Sequence, residues 1–186
     1  MNDREYIRLE FTPNPATLKY VIDRPLLDRG TANFTAADAA ASSPLPRRLF
    51  EVPGVTAVMV GPSFVTVTRA DGADPVAVHD AVHEALHAHF AAGEATTVDP
   101  AVLEQAPVDG SDPIVAKIRE IIEEEVRPAV AMDGGDITFE RFQDGIVYVW
   151  MKGACSSCPS STMTLKMGIE NRLREEIPEV VEVVQI

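Results

Sequence analysis

The sequence holds only two cysteines and one tryptophan among 186 residues, and no apolar run in it approaches the ~18 residues that a membrane-spanning helix requires. A disulfide framework is excluded by the cysteine count, because the pair is spaced C-x-x-C and residues three apart in a tight turn make a poor structural staple. Positive charge is scarce as well: 16 Lys and Arg stand against 29 Asp and Glu, for a formal net charge of −13. A field of that sign repels phosphate backbones and anionic lipid surfaces, so neither nucleic acid nor membrane is an expected partner. The first residues carry no basic start and no apolar signal core, and Asp3, Glu5 and Glu10 are acids that organelle leaders avoid. The cytoplasm is the expectation.

What is present suits a packed fold. Apolar residues make up 46% of the chain and charged residues 24%, too apolar for disorder. Residues 93–110 interrupt any hydrophobic period with Gly, Pro, Thr and the acids Glu94, Asp99, Glu104 and Asp109, which reads as an acidic linker between two small domains, 1–92 and 111–186. The fold class is α+β.

In the first domain, Glu5–Phe11 and Leu18–Ile22 read as strands around the turn Thr12-Pro13-Asn14-Pro15, since proline cannot donate to a ladder. Ala36–Ala41 is helix-prone. Val55–Val60 and Phe64–Thr68 flank Gly61-Pro62-Ser63 as a hairpin, and Asp74–Ala92 reads as a helix with Val78, Val82 and Leu86 along one stripe. In the second, Ser111 or Asp112 caps a helix with Pro113 at its first position and apolar residues Ile114, Ile118, Ile121, Ile122 and Val126, ending near Pro128. Asp133-Gly134-Gly135-Asp136 turns the chain into strand Ile137–Phe142, Asp144-Gly145 turns it into strand Ile146–Met151, a helix starts at Pro159, and Val180–Ile186 is a last strand. The order is α-β-β-α-β, a three-stranded sheet with two helices.

Cys155 and Cys158 lie in Gly153-Ala154-Cys155-Ser156-Ser157-Cys158-Pro159, between a strand end and a helix start. Unpaired N–H groups and the dipole at a helix N-terminus favour a thiolate, the form that binds metal or attacks a disulfide. Two thiolates are half of the four protein ligands that structural zinc or an iron–sulfur cluster takes. His79, His83, His87 and His89 all fall in the other domain, and carboxylates are hard ligands for a thiolate-preferring metal. A homodimer sharing one cluster between two pairs is the simplest completion, and such a cluster is released whenever the interface weakens, which suits a carrier.

Met132-Asp133-Gly134-Gly135-Asp136 followed by Gly153-Ala154-Cys155-Ser156-Ser157-Cys158-Pro159-Ser160-Ser161-Thr162 resembles the NifU C-terminal domain of the Nfu-type iron–sulfur scaffold and carrier proteins, over about residues 112–186. Thr12-Pro13-Asn14-Pro15-Ala16-Thr17-Leu18-Lys19, Ser43-Pro44-Leu45 and Val52-Pro53-Gly54-Val55 are similar to that family's N-terminal domain, over about residues 5–92, as in its mitochondrial and related bacterial members; with no mitochondrial leader among these residues, the resemblance implies a cytoplasmic, bacterial-type protein or a mature form already processed. The resemblance implies a [4Fe-4S] cluster, one per homodimer, ligated by Cys155 and Cys158, with [2Fe-2S] as the other form. It also implies cluster transfer to apo iron–sulfur client proteins, with upstream assembly factors as further partners and no enzymatic turnover.

Three other readings stand beside it. The same C-x-x-C serves dithiol redox proteins, although only 28 residues follow Cys158 here. A structural zinc shared by two chains would use the same two thiolates from each. His83-Glu84-Ala85-Leu86-His87 matches H-E-x-x-H, a zinc-protease pattern, but as a short motif on the polar margin of a helix it reads as solvated histidines. The serines Ser156, Ser157, Ser160 and Ser161 are placed to bond cluster sulfurs or simply to cap the helix.

Overall fold

A computed structural model describes residues 7–28, 30–96, 98, 112–156 and 159–186. The sequence readings at Glu5, Asp99, Glu104, Asp109, Ser111, Ser157 and Cys158 lie outside the described residues, as do the side chains of 159–162. The chain divides into two compact units, Met1–Glu104 and Gln105–Ile186.

The first unit is a five-stranded antiparallel sheet in the order β1-β2-β5-β4-β3, formed by β1 (Ile7–Phe11), β2 (Thr17–Ile22), β3 (Ala32–Phe34), β4 (Val55–Val60) and β5 (Phe64–Arg69). The proline-rich turn between β1 and β2 is held by side chains: Asn14 Oδ1 accepts from Ala16 N at 3.0 Å, and Thr12 Oγ1 donates to the Asn14 carbonyl at 2.8 Å. Two helices cover one face, α1 (Pro44–Phe50) and α2 (Pro75–Ala91). Leu45 and Leu49 of α1 and Val78, Val82, Leu86 and Phe90 of α2 bury against Tyr20, Ile22, Phe34, Val58, Val60, Val65 and Val67. The Asp74 carboxylate caps α2, accepting from Val76 N at 2.9 Å. The alanine stretch is a single 3₁₀ turn, Asp38–Ala40. Strand β3 and helix α1 carry no periodic signal long enough to read from sequence, having three and seven residues.

The second unit opens on α3 (Pro113–Ile121), whose N-cap Asp112 accepts from Ile114 N at 2.8 Å. The helix does not end near Pro128: a π-turn at Ile122–Val126 leads into α4 (Arg127–Met132). Proline lacks an N–H and crowds the carbonyl one turn back, and the wider π-turn just ahead of Pro128 accommodates both defects without breaking the axis. Strands β6 (Gly135–Gln143) and β7 (Ile146–Gly153) pair antiparallel through the Asp144-Gly145 turn, and β8 (Glu182–Gln185) lies parallel to β7. A parallel neighbour needs a crossover, supplied by α5 (Pro159–Glu176). Val147, Val149 and Met151 alternate inward and meet Ile118, Ile121, Ile122, Ile137, Phe139, Ile169, Leu173, Ile177 and Val183 in one core.

Candidate metal centre

The cysteine motif follows directly from the end of β7. Gly153 closes the strand with φ +60°, a left-handed conformation that an L side chain strains, and the chain then turns so that Ser156 N donates to the Gly153 carbonyl at 3.2 Å. Ser156 Oγ donates to that same carbonyl at 2.9 Å, so this serine fastens the turn. Three residues later α5 begins at Pro159. Cys155 thus sits just past the strand end, as expected.

Cys155 points inward and is 3% exposed, part of the core of the second unit. Opposite it lies the first strand residue of β6. Gly135 pairs with Gly153 across the ladder, and a Cβ added at Gly135 would stand 2.4 Å from Cys155 Sγ and 3.0 Å from the Lys152 carbonyl. Only a hydrogen fits there. The Gly134 carbonyl also accepts from Ala154 N at 3.1 Å. The Asp-Gly-Gly-Asp segment, which reads in sequence as a plain turn, is thus the floor on which the cysteine turn sits.

Asp136 pins that floor. Its carboxylate is 1% exposed and accepts from Arg127 Nε at 2.8 Å and Nη2 at 3.1 Å, a bidentate pair, while Oδ1 also accepts from Ile137 N at 2.9 Å. Arg127 Nη1 reaches Glu123 at 2.6 Å. Burial works against the Arg127 cation, but its hydrogen bond to Asp136 and the charge there, seconded by Glu123, outweigh the loss and hold its pKa above the ordinary arginine value. Lys152, paired in register with Asp136, is 9% exposed, and burial lowers its pKa. The structure therefore ties α4, β6 and the cysteine turn together through Arg127, Asp136, Gly135 and Cys155. Sequence reasoning missed Arg127 and the roles of Gly135 and Asp136; the acid of the Asp-Gly-Gly-Asp motif, followed directly by a buried strand, was the available signal.

In the first unit α2 carries the histidines. His79 is half-buried with Nδ1 3.1 Å from the Tyr20 hydroxyl, His83 is half-buried, and His87 is exposed. His89, two residues further on, is fully buried. Among the described residues no three His, Cys, Asp or Glu side chains converge as a metal-binding group, so the third protein ligand of a zinc protease is not supplied around H-E-x-x-H.

Comparison with known proteins matches both units. Residues 118–184 fit the family described as NifU-like domain, and residues 7–93 fit that described as scaffold protein Nfu/NifU N terminal. The human protein named NFU1 iron-sulfur cluster scaffold homolog, mitochondrial, is 38% identical over 182 residues, with 97% of this chain and 72% of that protein covered. Its namesake in Drosophila ananassae is 39% identical over 188 residues, with 97% of this chain and 64% of that protein covered; the chain thus spans less than two-thirds of the fly relative. A solution structure of a NifU-like protein from Saccharomyces cerevisiae is 20% identical, covering 53% of this chain and 92% of that one at a TM-score of 0.45.

The names of these relatives overturn the cytoplasmic, bacterial-type expectation, for they are mitochondrial proteins. The expectation leaned on acids near the start of the sequence, and one of them is now explained otherwise: Glu10 sits in β1, where it ion-pairs with the buried Lys19 at 3.1 Å. An acid placed by a folded strand carries no information about cellular address. With a 38%-identical relative covered over 72% of its length and each half matched to its own domain, the chain belongs to the Nfu/NifU family of iron–sulfur cluster scaffold proteins.

Proposed function

We propose that this protein is an iron–sulfur cluster scaffold and carrier: Cys155 and Cys158 of two copies hold one [4Fe-4S] cluster as cargo and release it to apo-proteins. The observation that carries the reading is the cradle itself. Cys155 is seated against a glycine whose Cβ would collide with its sulfur, at the turn that leads into the start of α5. This floor is stiffened by a buried ion pair, so the protein invests structure in placing one thiol. The scaffold names of the relatives support the same role for this chain.

Because Cys155 is 3% exposed, loading begins with a small opening of the turn 153–156, after which the thiolates replace the ligands that bring the cluster in. Each chain gives two sulfur ligands and a second copy gives the other two. Glu94 pairs with Arg48 and Val98 joins the core of the first unit, so the acidic residues after Val98 serve as the linker to residues 111–186, and the first domain recognises clients or assembly factors. Nothing is turned over; ligands are exchanged. The relatives are named as cluster scaffolds, which favours cluster binding over a dithiol redox role for the same pair.

Anaerobic reconstitution of the full chain with iron and sulfide tests this. The expected result is about two irons and two sulfides per chain in a species of twice the chain mass, with none retained by Cys155→Ser or Cys158→Ser. A cluster that survives both substitutions refutes the ligand assignment, and a one-chain cluster complex refutes the sharing.

A further inference from the structure

The histidines of α2 are left over by this function. Residues 79, 83 and 87 recur once per turn, so their imidazoles line one side of the helix next to the buried stripe of Val78, Val82 and Leu86. The ring centres of His83 and His87 are 4.5 Å apart with planes inclined at 69°, whereas those of His79 and His83 are 5.7 Å apart. Two imidazoles on one metal ion, with bonds of about 2.0–2.1 Å and an angle of roughly 90–110°, place their centres about 4.5–5.2 Å apart. The His83–His87 pair already has that spacing and the His79–His83 pair does not.

The neighbours of the pair argue the same way. His79 is held back: its ring stacks on Tyr20 at 5.7 Å, and Nδ1 is engaged by the Tyr20 hydroxyl. Tyr20 is fully buried, and burial followed by the charge of Asp80 raises its phenol pKa far above the ordinary value, so that hydroxyl stays protonated beside His79.

The geometry points to His83 and His87 as a two-imidazole site for a divalent first-row transition cation, separate from the cysteine pair, with water completing the coordination. Imidazole nitrogens suit Zn²⁺, Cu²⁺, Ni²⁺ and Fe²⁺, with Cu²⁺ tightest and Fe²⁺ weakest of these. The site takes up the H-E-x-x-H motif as a metal-holding pair without the water-activating chemistry of a protease, for which no third protein ligand converges among the described residues.

Two measurements on the full chain test it. In long-range ¹H–¹⁵N spectra of the imidazoles, the first equivalent of Ni²⁺ broadens His83 and His87 together while the buried His89 stays sharp. In a Cys155→Ser/Cys158→Ser background, where no thiolate competes, zinc titration gives one site that His83→Ala or His87→Ala each weakens at least roughly tenfold and His79→Asn leaves intact. Broadening of all four histidines alike, no response at His83, or loss of zinc in His79→Asn with retention in His87→Ala overturns the assignment.

Discussion

Each unit buries an ionisable side chain completely, and the two do so by opposite means. In the second unit Asp136 is met by a guanidinium through two hydrogen bonds and by a backbone N–H. In the first, His89 is 0% exposed, and neither ring nitrogen has a hydrogen-bond partner among the described residues; Nδ1 stands 3.4 Å from Glu94, which is itself bonded to Arg48 at 2.5 Å. Burial therefore lowers the His89 pKa, the charge of Glu94 opposing and Arg48 assisting. A buried acid is retained as half of an ion pair, whereas a buried histidine can be retained by shedding its proton. The difference is functional in the second unit, where the pair fixes the floor under Cys155, and merely structural in the first.

Breaking the pair has the largest expected consequence. Asp136→Ala leaves Arg127 facing a void and destabilises the second unit by about 3 kcal/mol, the lower end for a broken buried pair because Glu123 still holds one edge of the guanidinium. Chemical denaturation followed by Trp150 fluorescence measures it, since that side chain lies in β7. Gly135→Ala comes next, at about 2 kcal/mol for forcing a methyl against sulfur and a backbone carbonyl. Its sharper readout is cluster content after reconstitution, expected to fall even at temperatures where the variant is fully folded.

The smallest effect concerns His89 and is a slope. Its folded-state pKa lies below the unfolded value of about 6.5, so between the two the unfolded chain binds a proton that the folded chain refuses. Stability from this group is complete above about pH 6.5 and is lost as the pH falls toward the folded pKa, at no more than about 1.4 kcal/mol per pH unit. Melting of the wild type and of His89→Gln from pH 7.5 to 5 should differ by that slope; parallel curves would show that His89 is not buried neutral.

Much of this was legible in the sequence wherever a period or a turn signal ran long enough. Val78, Val82 and Leu86 marked the buried face of α2, Asp144-Gly145 marked the β6–β7 turn, and glycine before the C-x-x-C placed Cys155 just past the end of β7. Short elements escaped, because three residues of β3 cannot establish an alternation. The continuation through Pro128 escaped because a local rule, that proline stops a helix, yielded to tertiary packing of Ile122, Val126 and Val130. The contact between Gly135 and Cys155 spans twenty positions of sequence and depends on strand register, which neither motif contains alone.

The parallel pairing of β7 with β8 sets an order of events in synthesis. Residues 154–181 form a loop closed only when Val183 and its neighbours dock beside Val147, and the Gly145 carbonyl accepts from Val181 N at 2.7 Å to latch that closure. A nascent chain that has emerged as far as Cys158 has its thiols but not the strand that anchors the far end of α5. Until Gln185 has emerged, α5 has no anchored far end and β7 keeps one open edge.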